Sequence, residues 1–118
     1  MRNHRIKSGE IPAYITVNDG LDAQYKKAWN TAFKAVKILK TRFKNIKVRV
    51  AGSLLHRDRF HEGSDIDLVV PEFTMSDKMD AEKLMNCFFP LVIDIVPLRS
   101  MLSLKRAYFM ERSVPVGS

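Results

Sequence analysis

The chain has 118 residues and a formal net charge of +7, with 46% hydrophobic and 28% charged residues. This length predicts one domain over residues 1–118, and the composition excludes an intrinsically disordered chain. No apolar run approaches the roughly twenty residues that span a membrane, and the basic N-terminus lacks the apolar stretch of a secretory signal. The single cysteine permits no internal disulfide, which indicates a reducing, cytoplasmic setting. The positive charge favours a polyanionic partner such as ATP, RNA or an acidic protein.

The N-terminal third predicts an irregular segment followed by one long helix. Residues 1–18 contain Pro12 within a partly alternating stretch, so they are expected to form an edge strand, an extended arm or a loosely packed terminus. Over residues 21–43 apolar side chains recur with a period of 3.6 residues for six turns, which predicts an amphipathic helix. Trp29 and Phe33 on its apolar stripe are expected to pack against a sheet.

A strand and a tight turn follow the helix. Residues 46–50 alternate between apolar and basic side chains, which predicts a strand with one buried face. The strand leads directly into Gly52 and Ser53. A glycine lets the backbone approach a phosphate closely, and the N–H groups that open a following helical turn form an anion site. Ser53 would add a hydroxyl donor to that site.

The segment over residues 54–63 is expected to begin as a short helix and to become a polar loop. Arg57 or Arg59 in this segment has the length and charge to donate hydrogen bonds to a triphosphate. Gly63 and Ser64 then provide a tight entry into the next strand, and Ser64 is a candidate nucleotide-binding residue.

Three carboxylates interrupt two strands that are otherwise apolar. Asp65 and Asp67 begin the strand over residues 65–70, and because side chains alternate between the faces of a strand, these two share one face. Asp94 lies in the middle of a second apolar strand over residues 91–97. Adjacent acids repel one another and are costly to bury unless a cation compensates them. Three acids on two strands are what a two-metal phosphoryl-transfer site requires.

The remaining elements complete a small mixed sheet packed by helices, an α+β fold. Thr74 or Ser76 is predicted to cap a helix that runs to about residue 88. Ser100 is predicted to cap a last helix over residues 101–112. Residues 114–118 are expected to be a short tail. The core stripe expected for the last helix consists of Met101, Leu104 and Tyr108.

Gly52-Ser53, then Asp65-Ile66-Asp67 and finally Asp94 together resemble the signature of the DNA-polymerase-beta-like nucleotidyltransferases. The small size is similar to that of their minimal branch, the stand-alone MNT proteins, and the resemblance covers residues 48–98 and the preceding helix. It implies the palm-type nucleotidyltransferase fold. One departure concerns the arginine that many minimal relatives carry directly after Gly-Ser, where this chain has Leu54.

The resemblance also implies the roles of the site residues and a mechanism with two Mg²⁺ ions. Asp65 and Asp67 would hold the ion that binds the triphosphate of ATP, and Asp94 would complete the second metal site. Gly52 and Ser53 would hold the outer phosphates from the other side. Asp65, Asp67 and Asp94 are therefore the expected catalytic residues.

The acceptor is expected to bind in trans, since no further domain for it is evident in the sequence. For minimal proteins of this kind the resemblance implies an antitoxin that transfers AMP to a tyrosine of a partner HEPN ribonuclease toxin, with which it would form a hetero-oligomer. One alternative is a nucleotidyltransferase that acts on an RNA 3′ end or on a small hydroxyl compound. Another alternative is a non-catalytic antitoxin that neutralises its partner by covering it.

Overall fold

The computed structural model describes residues 5–12 and 22–117, and it confirms the predicted α+β fold with a small mixed sheet. Trp29 and Phe33 are buried as predicted. None of the helices in the described ranges is long and apolar enough to cross a membrane. The helices and strands in chain order are α1 (Asp22–Arg42), β1 (Val48–Ala51), β2 (Ile66–Val70), α2 (Met75–Met85), β3 (Ile93–Pro97), α3 (Ser103–Glu111) and β4 (Val114–Val116).

The four strands are arranged in the order β3-β2-β1-β4. Strands β2 and β3 are parallel, whereas β1 is antiparallel to both of its neighbours. A parallel connection needs a crossover, and α2 supplies it between β2 and β3. The strands that carry the predicted acids are thus direct neighbours.

The two faces of the sheet are covered differently. Ile66, Leu68 and Ile95 belong to the large core between the sheet and helices α1 and α2. On the opposite face Val69 and Val96 belong to a much smaller cluster, against which Phe109 of α3 packs. Because side chains alternate along a strand, Asp67 and Asp94 fall on this second face. Asp67 is half-buried there and Asp94 is exposed.

The C-terminal segment is a strand, so the prediction of a short tail is wrong. Val114 and Val116 pair with β1, and Ile6 forms a parallel bridge to Val116. Pro115 weakened the strand signal in the sequence, but proline is tolerated in a strand near the edge of a sheet. Ile6 is buried in the main core, which corrects the expectation of a loose terminus for residues 5–7. Residues 13–18 of the predicted arm lie outside the described residues.

Ser100 caps a different helix from the predicted one. Its Oγ accepts a hydrogen bond from the backbone N–H of Met75 at 2.8 Å, at the first residue of α2. The capping box of α2 is formed by Thr74 with Asp77, so Thr74 is confirmed as the cap. Helix α3 begins only at Ser103 and has no side-chain cap.

The predicted core stripe of the last helix is wrong at two of its three residues. Leu104 is 85% exposed and Tyr108 is 50% exposed. Met101 contacts the small cluster on the sheet as predicted, and Phe109, which was not predicted, contacts it as well. The helix is short and only a few of its side chains pack against the sheet, so several of its apolar residues remain exposed. Much of the outward face of α3 is therefore apolar.

We predict that Ser100→Ala destabilises the protein by about 1 kcal/mol, because the first N–H of α2 loses its acceptor. Ser103→Ala is the matched control, since Ser103 is exposed and makes no cap at the start of α3. Urea unfolding of the two variants measures the difference. A loss in Ser103→Ala that equals or exceeds the loss in Ser100→Ala would contradict the assignment of Ser100 to α2.

Candidate active site

Asp67 and Asp94 are paired residues on adjacent parallel strands. Neighbouring strands lie about 4.8 Å apart, so the two side chains leave the sheet side by side. Asp65 precedes β2 by one residue and shares the face of Asp67. Burial is the largest cause, and together with the negative charges of Asp94 and Asp65 it raises the pKa of Asp67 from 3.8 to about 6. The site thus concentrates negative charge around one half-buried carboxylate.

Gly52 brings the backbone against that carboxylate. Ala51 at the end of β1 is paired with Asp67, and the chain turns immediately afterwards into a 3₁₀ turn over Gly52–Leu55. Gly52 has a φ of 75°, and a Cβ at this position would overlap an Asp67 carboxylate oxygen. Only glycine satisfies both constraints without strain. The Gly-Ser turn and the acidic strand are therefore in direct contact.

A polar cavity of about 380 Å³ lies on one side of Asp67. Within it, the Ser64 hydroxyl accepts a hydrogen bond from the His61 N–H at 2.9 Å. The Ser64 N–H in turn donates to the His61 carbonyl at 3.0 Å. Ser64 therefore shapes the turn that leads into β2. The residues that line the cavity are Ser53, Arg59, His61, Gly63, Ser64, Asp65 and Asp67.

A second cavity, of about 400 Å³, shares Asp67 and Arg59 with the first. It has an aromatic and cationic wall from the end of α3 and the residue that follows it, where the Arg112 guanidinium lies 4.1 Å from the Tyr108 ring centroid. The Phe109 ring stands edge-on to Tyr108, with their centroids 5.3 Å apart. We call these two spaces the polar cavity and the aromatic cavity. The residues that line the aromatic cavity are Ala51, Gly52, His56, Arg59, Asp67, Tyr108, Phe109 and Arg112.

The structure separates the two candidate arginines. Arg57 is only 8% exposed, and its guanidinium lies 4.9 Å from the ring centroid of Tyr25, a core residue. Arg59 is exposed and lines both cavities. The turn that contains them is a 3₁₀ helix, in which residues two positions apart point in different directions. Of the two candidates, Arg59 and not Arg57 is therefore positioned to reach a molecule in these cavities.

Lys78 of α2 is a site residue that the sequence analysis missed. Its ammonium lies 3.4 Å from Asp94 and 2.8 Å from Glu82, and it donates to the Ile95 carbonyl at 2.6 Å. Burial alone would lower the pKa of Lys78, but Glu82 and Asp94 together raise it above its ordinary value. No sequence signal marks this lysine, because only the crossover brings α2 to the outer edge of β3.

The residues of this site suit a divalent cation by the chemistry of their donor atoms and not by a preformed ligand geometry. Within the described ranges, no group of three or more His, Cys, Asp or Glu side chains is already arranged around one point as metal ligands. The donor set of Asp65, Asp67 and Asp94 is nevertheless purely carboxylate, which suits Mg²⁺. The pKa of Asp67 is raised by burial first and then by repulsion from Asp94 and Asp65, and a dication would favour the charged carboxylate against both effects. These residues therefore fit the group that the resemblance implies.

We predict that Gly52→Ala lowers the free energy of unfolding more than Gly63→Ala. Both glycines have positive φ, 75° and 91°, so both alanines pay a backbone cost of about 1–2 kcal/mol. At Gly63 a Cβ meets open space, whereas at Gly52 it collides with Asp67, and such overpacking adds about 1–3 kcal/mol. Urea unfolding measures both losses. Equal losses would show that the Gly52–Asp67 contact does not constrain the site.

We predict that Asp67→Asn, without metal, is more stable than the wild type at pH 8, and that the difference disappears towards pH 4. The folded pKa of about 6 lies above the ordinary 3.8, so the folded state binds this proton more tightly than the unfolded state. The stability that this tighter proton binding gives to the folded state is fully present below pH 3.8 and is lost as the pH rises through about 6.

Unfolding free energies at several pH values test this prediction, with Asp80→Asn on the exposed face of α2 as the control. A difference between Asp67→Asn and the wild type that is independent of pH would contradict it.

A family model described as the nucleotidyltransferase domain matches residues 34–115. The match covers more than half of the chain and includes β1, the Gly52 turn and the strands of all three acids. The comparisons with curated proteins and with solved structures found no match. The geometry of the acids beside the Gly-Ser turn and the family match agree on a general activity, which is the transfer of a nucleotidyl group. The chain belongs to the nucleotidyltransferase domain family.

Proposed function

We propose that this protein transfers AMP from ATP to a hydroxyl group of a partner polypeptide, and that the acceptor is a tyrosine of a HEPN ribonuclease toxin that is thereby silenced. The observation that carries the catalytic part is the pairing of Asp67 with Asp94 on neighbouring strands, beside Gly52. The identity of the acceptor rests on the resemblance to the minimal antitoxin branch.

The cation-binding role is assigned to the three acids. Asp65 and Asp67 would hold the Mg²⁺ that accompanies the triphosphate, and Asp94 would complete the site of a second Mg²⁺. When bound, these ions supply neutralisation of phosphate charge and acidification of the attacking hydroxyl. The carboxylates themselves contribute fixed positions, because they are set by two strands in register.

In this proposal, each cavity binds a different part of the nucleotide. The polar cavity would take the triphosphate, with Ser53 and the backbone at Gly52 donating to the phosphates and Arg59 adding a charge-assisted hydrogen bond. The aromatic cavity would take the base, which can stack on Tyr108 and on the guanidinium of Arg112. The acceptor hydroxyl then loses its proton to water, and its oxygen attacks the α-phosphorus. The new P–O bond forms as the bond from the α-phosphorus to the oxygen shared with the β-phosphorus breaks, and pyrophosphate leaves. Orientation by these fixed groups supplies much of the rate enhancement.

The outward face of α3 supports a polypeptide as the partner. Leu102 and Leu104 are both more than four-fifths exposed, and Tyr108 joins them to the aromatic cavity. Lys105 and Arg106 are exposed on the same helix. An exposed apolar face with basic neighbours suits a protein surface that has acidic residues at its rim. A partner held there would lie beside the acids.

A second candidate acceptor is the 3′ hydroxyl of an RNA, which the net charge of +7 favours. Its ribose hydroxyl would enter the same reaction in place of the tyrosine. The acids and the nucleotide would keep the roles given above, so the nature of the labelled product distinguishes the two acceptors.

We predict that α-³²P-ATP with Mg²⁺ labels one protein in a lysate of the source cell, and that γ-³²P-ATP does not label it. The Asp65→Asn/Asp67→Asn double variant should lose the labelling by at least about a hundredfold, because charge stabilisation at the phosphates is lost. The Asp80→Asn variant should retain it. The band is then excised and identified, and its modified residue is mapped by mass spectrometry.

Other results of this assay would replace the proposal. Label in RNA would favour the 3′ end as acceptor. Label from γ-³²P-ATP would indicate a kinase. No label with either isotope, together with tight binding of the double variant to one lysate protein, would favour an antitoxin that acts by covering its partner.

A further inference from the structure

Lys78 reaches the site from outside the sheet. Strand β3 is at the edge of the sheet, and Lys78 donates to the outward carbonyl of Ile95 at 2.6 Å. Its ammonium also forms an ion pair with Glu82, one turn later on α2, at 2.8 Å. The third contact, to Asp94, is longer, at 3.4 Å.

Two of the three contacts of the Lys78 ammonium are shorter than its contact with Asp94. The contacts to Ile95 and Glu82 hold the ammonium in place without help from Asp94. The Asp94 side chain is half exposed, whereas that of Lys78 is only 21% exposed. Lys78 is therefore the anchored member of the pair and Asp94 the movable one. The anchored charge remains beside Asp94 whether or not Asp94 turns towards another cation.

We propose that Lys78 is a positioning residue that acts as a built-in counter-cation for Asp94 and weakens the binding of a divalent cation there until a nucleotide is present. The proposal rests on the metal-binding role of Asp94 in the proposed function. Without a nucleotide, the Lys78 ammonium neutralises part of the negative charge of Asp94 and repels a divalent cation that approaches it. A bound triphosphate adds negative charge, so the cation binds together with the nucleotide.

The size of the effect follows from Coulomb's law. A unit charge a few ångströms from a dication, with solvent on one side, changes the binding constant by about tenfold at low salt. The neighbouring Lys83 is exposed on the same helix, with no ion pair among those found in the described residues. Lys83 therefore provides a control with the same charge and a similar position in the sequence.

The test is titration of the full chain with Mn²⁺, without nucleotide, followed by the electron paramagnetic resonance signal of the free ion. Lys78→Met should bind Mn²⁺ about tenfold more tightly than the wild type, and Lys83→Met should not differ from it. The gain should disappear in the Lys78→Met/Asp94→Asn double variant. With a non-hydrolysable ATP analogue present, the difference between Lys78→Met and the wild type should shrink.

Lys78→Gln keeps a donor for the Ile95 carbonyl and removes the charge, so it serves if Lys78→Met does not fold. It should show the same gain, whereas Lys78→Arg should bind as the wild type does. Unchanged or weaker Mn²⁺ binding in Lys78→Gln would overturn the proposal.

Asp94→Asn in the wild-type background separates the two levels of inference. If it weakens Mn²⁺ binding while Lys78→Gln has no effect, the role of Lys78 fails and the metal role of Asp94 stands. If Asp94→Asn leaves Mn²⁺ binding unchanged, the metal role of Asp94 fails, and the role of Lys78 fails with it. Neither result depends on transfer activity.

Discussion

The electrostatic repulsion between carboxylates on one face of the sheet is the constraint on which the site depends. The parallel register places Asp94 directly beside Asp67, and its negative charge adds to burial, the larger cause, in raising the pKa of Asp67. A slip of one residue between β2 and β3 would turn Asp94 into the core and bring Ile95 to the surface. The large apolar core under Ile66 and Ile95 opposes that slip. Packing energy on one face thus maintains an unfavourable arrangement of charge on the other.

The residues that follow the period of a regular element could be predicted from the sequence. Asp65 and Asp67 interrupt an apolar strand, so their common face followed from the period of two. That Asp94 shares this face follows from the register of β2 and β3 in the structure. Gly52 and Ser53 followed from the turn chemistry between a strand and a helical turn. The phosphate-binding reason given for Gly52 was incomplete, because the structure adds the direct contact with Asp67.

The remaining site features depend on tertiary packing, which leaves no periodic signal. Arg57 and Arg59 are the same residue type two positions apart, and the fold decides which of them is buried, with Arg57 lying against Tyr25. Lys78 meets Asp94 only because the crossover from β2 to β3 runs past the sheet edge. The core stripe predicted for the last helix is wrong at Leu104 and Tyr108, because the exposure of a side chain depends on what the helix packs against. The strand β4 was missed because Pro115 weakens an edge strand in the sequence without preventing it in the sheet.

The distribution of charge explains why a basic protein carries an acidic centre. The acids line the middle of the site, whereas Lys78 lies beyond β3, and Arg59 and Arg112 lie on the cavity walls. A free dication meets attraction from the acids and repulsion from these cations. A triphosphate without a metal ion would be repelled by the acids and attracted by these cations. In the proposed function, the complex of the two would satisfy both sets of groups, because its metal would face carboxylates and its phosphates would face cations. The arrangement would then favour the metal–nucleotide complex over either component alone.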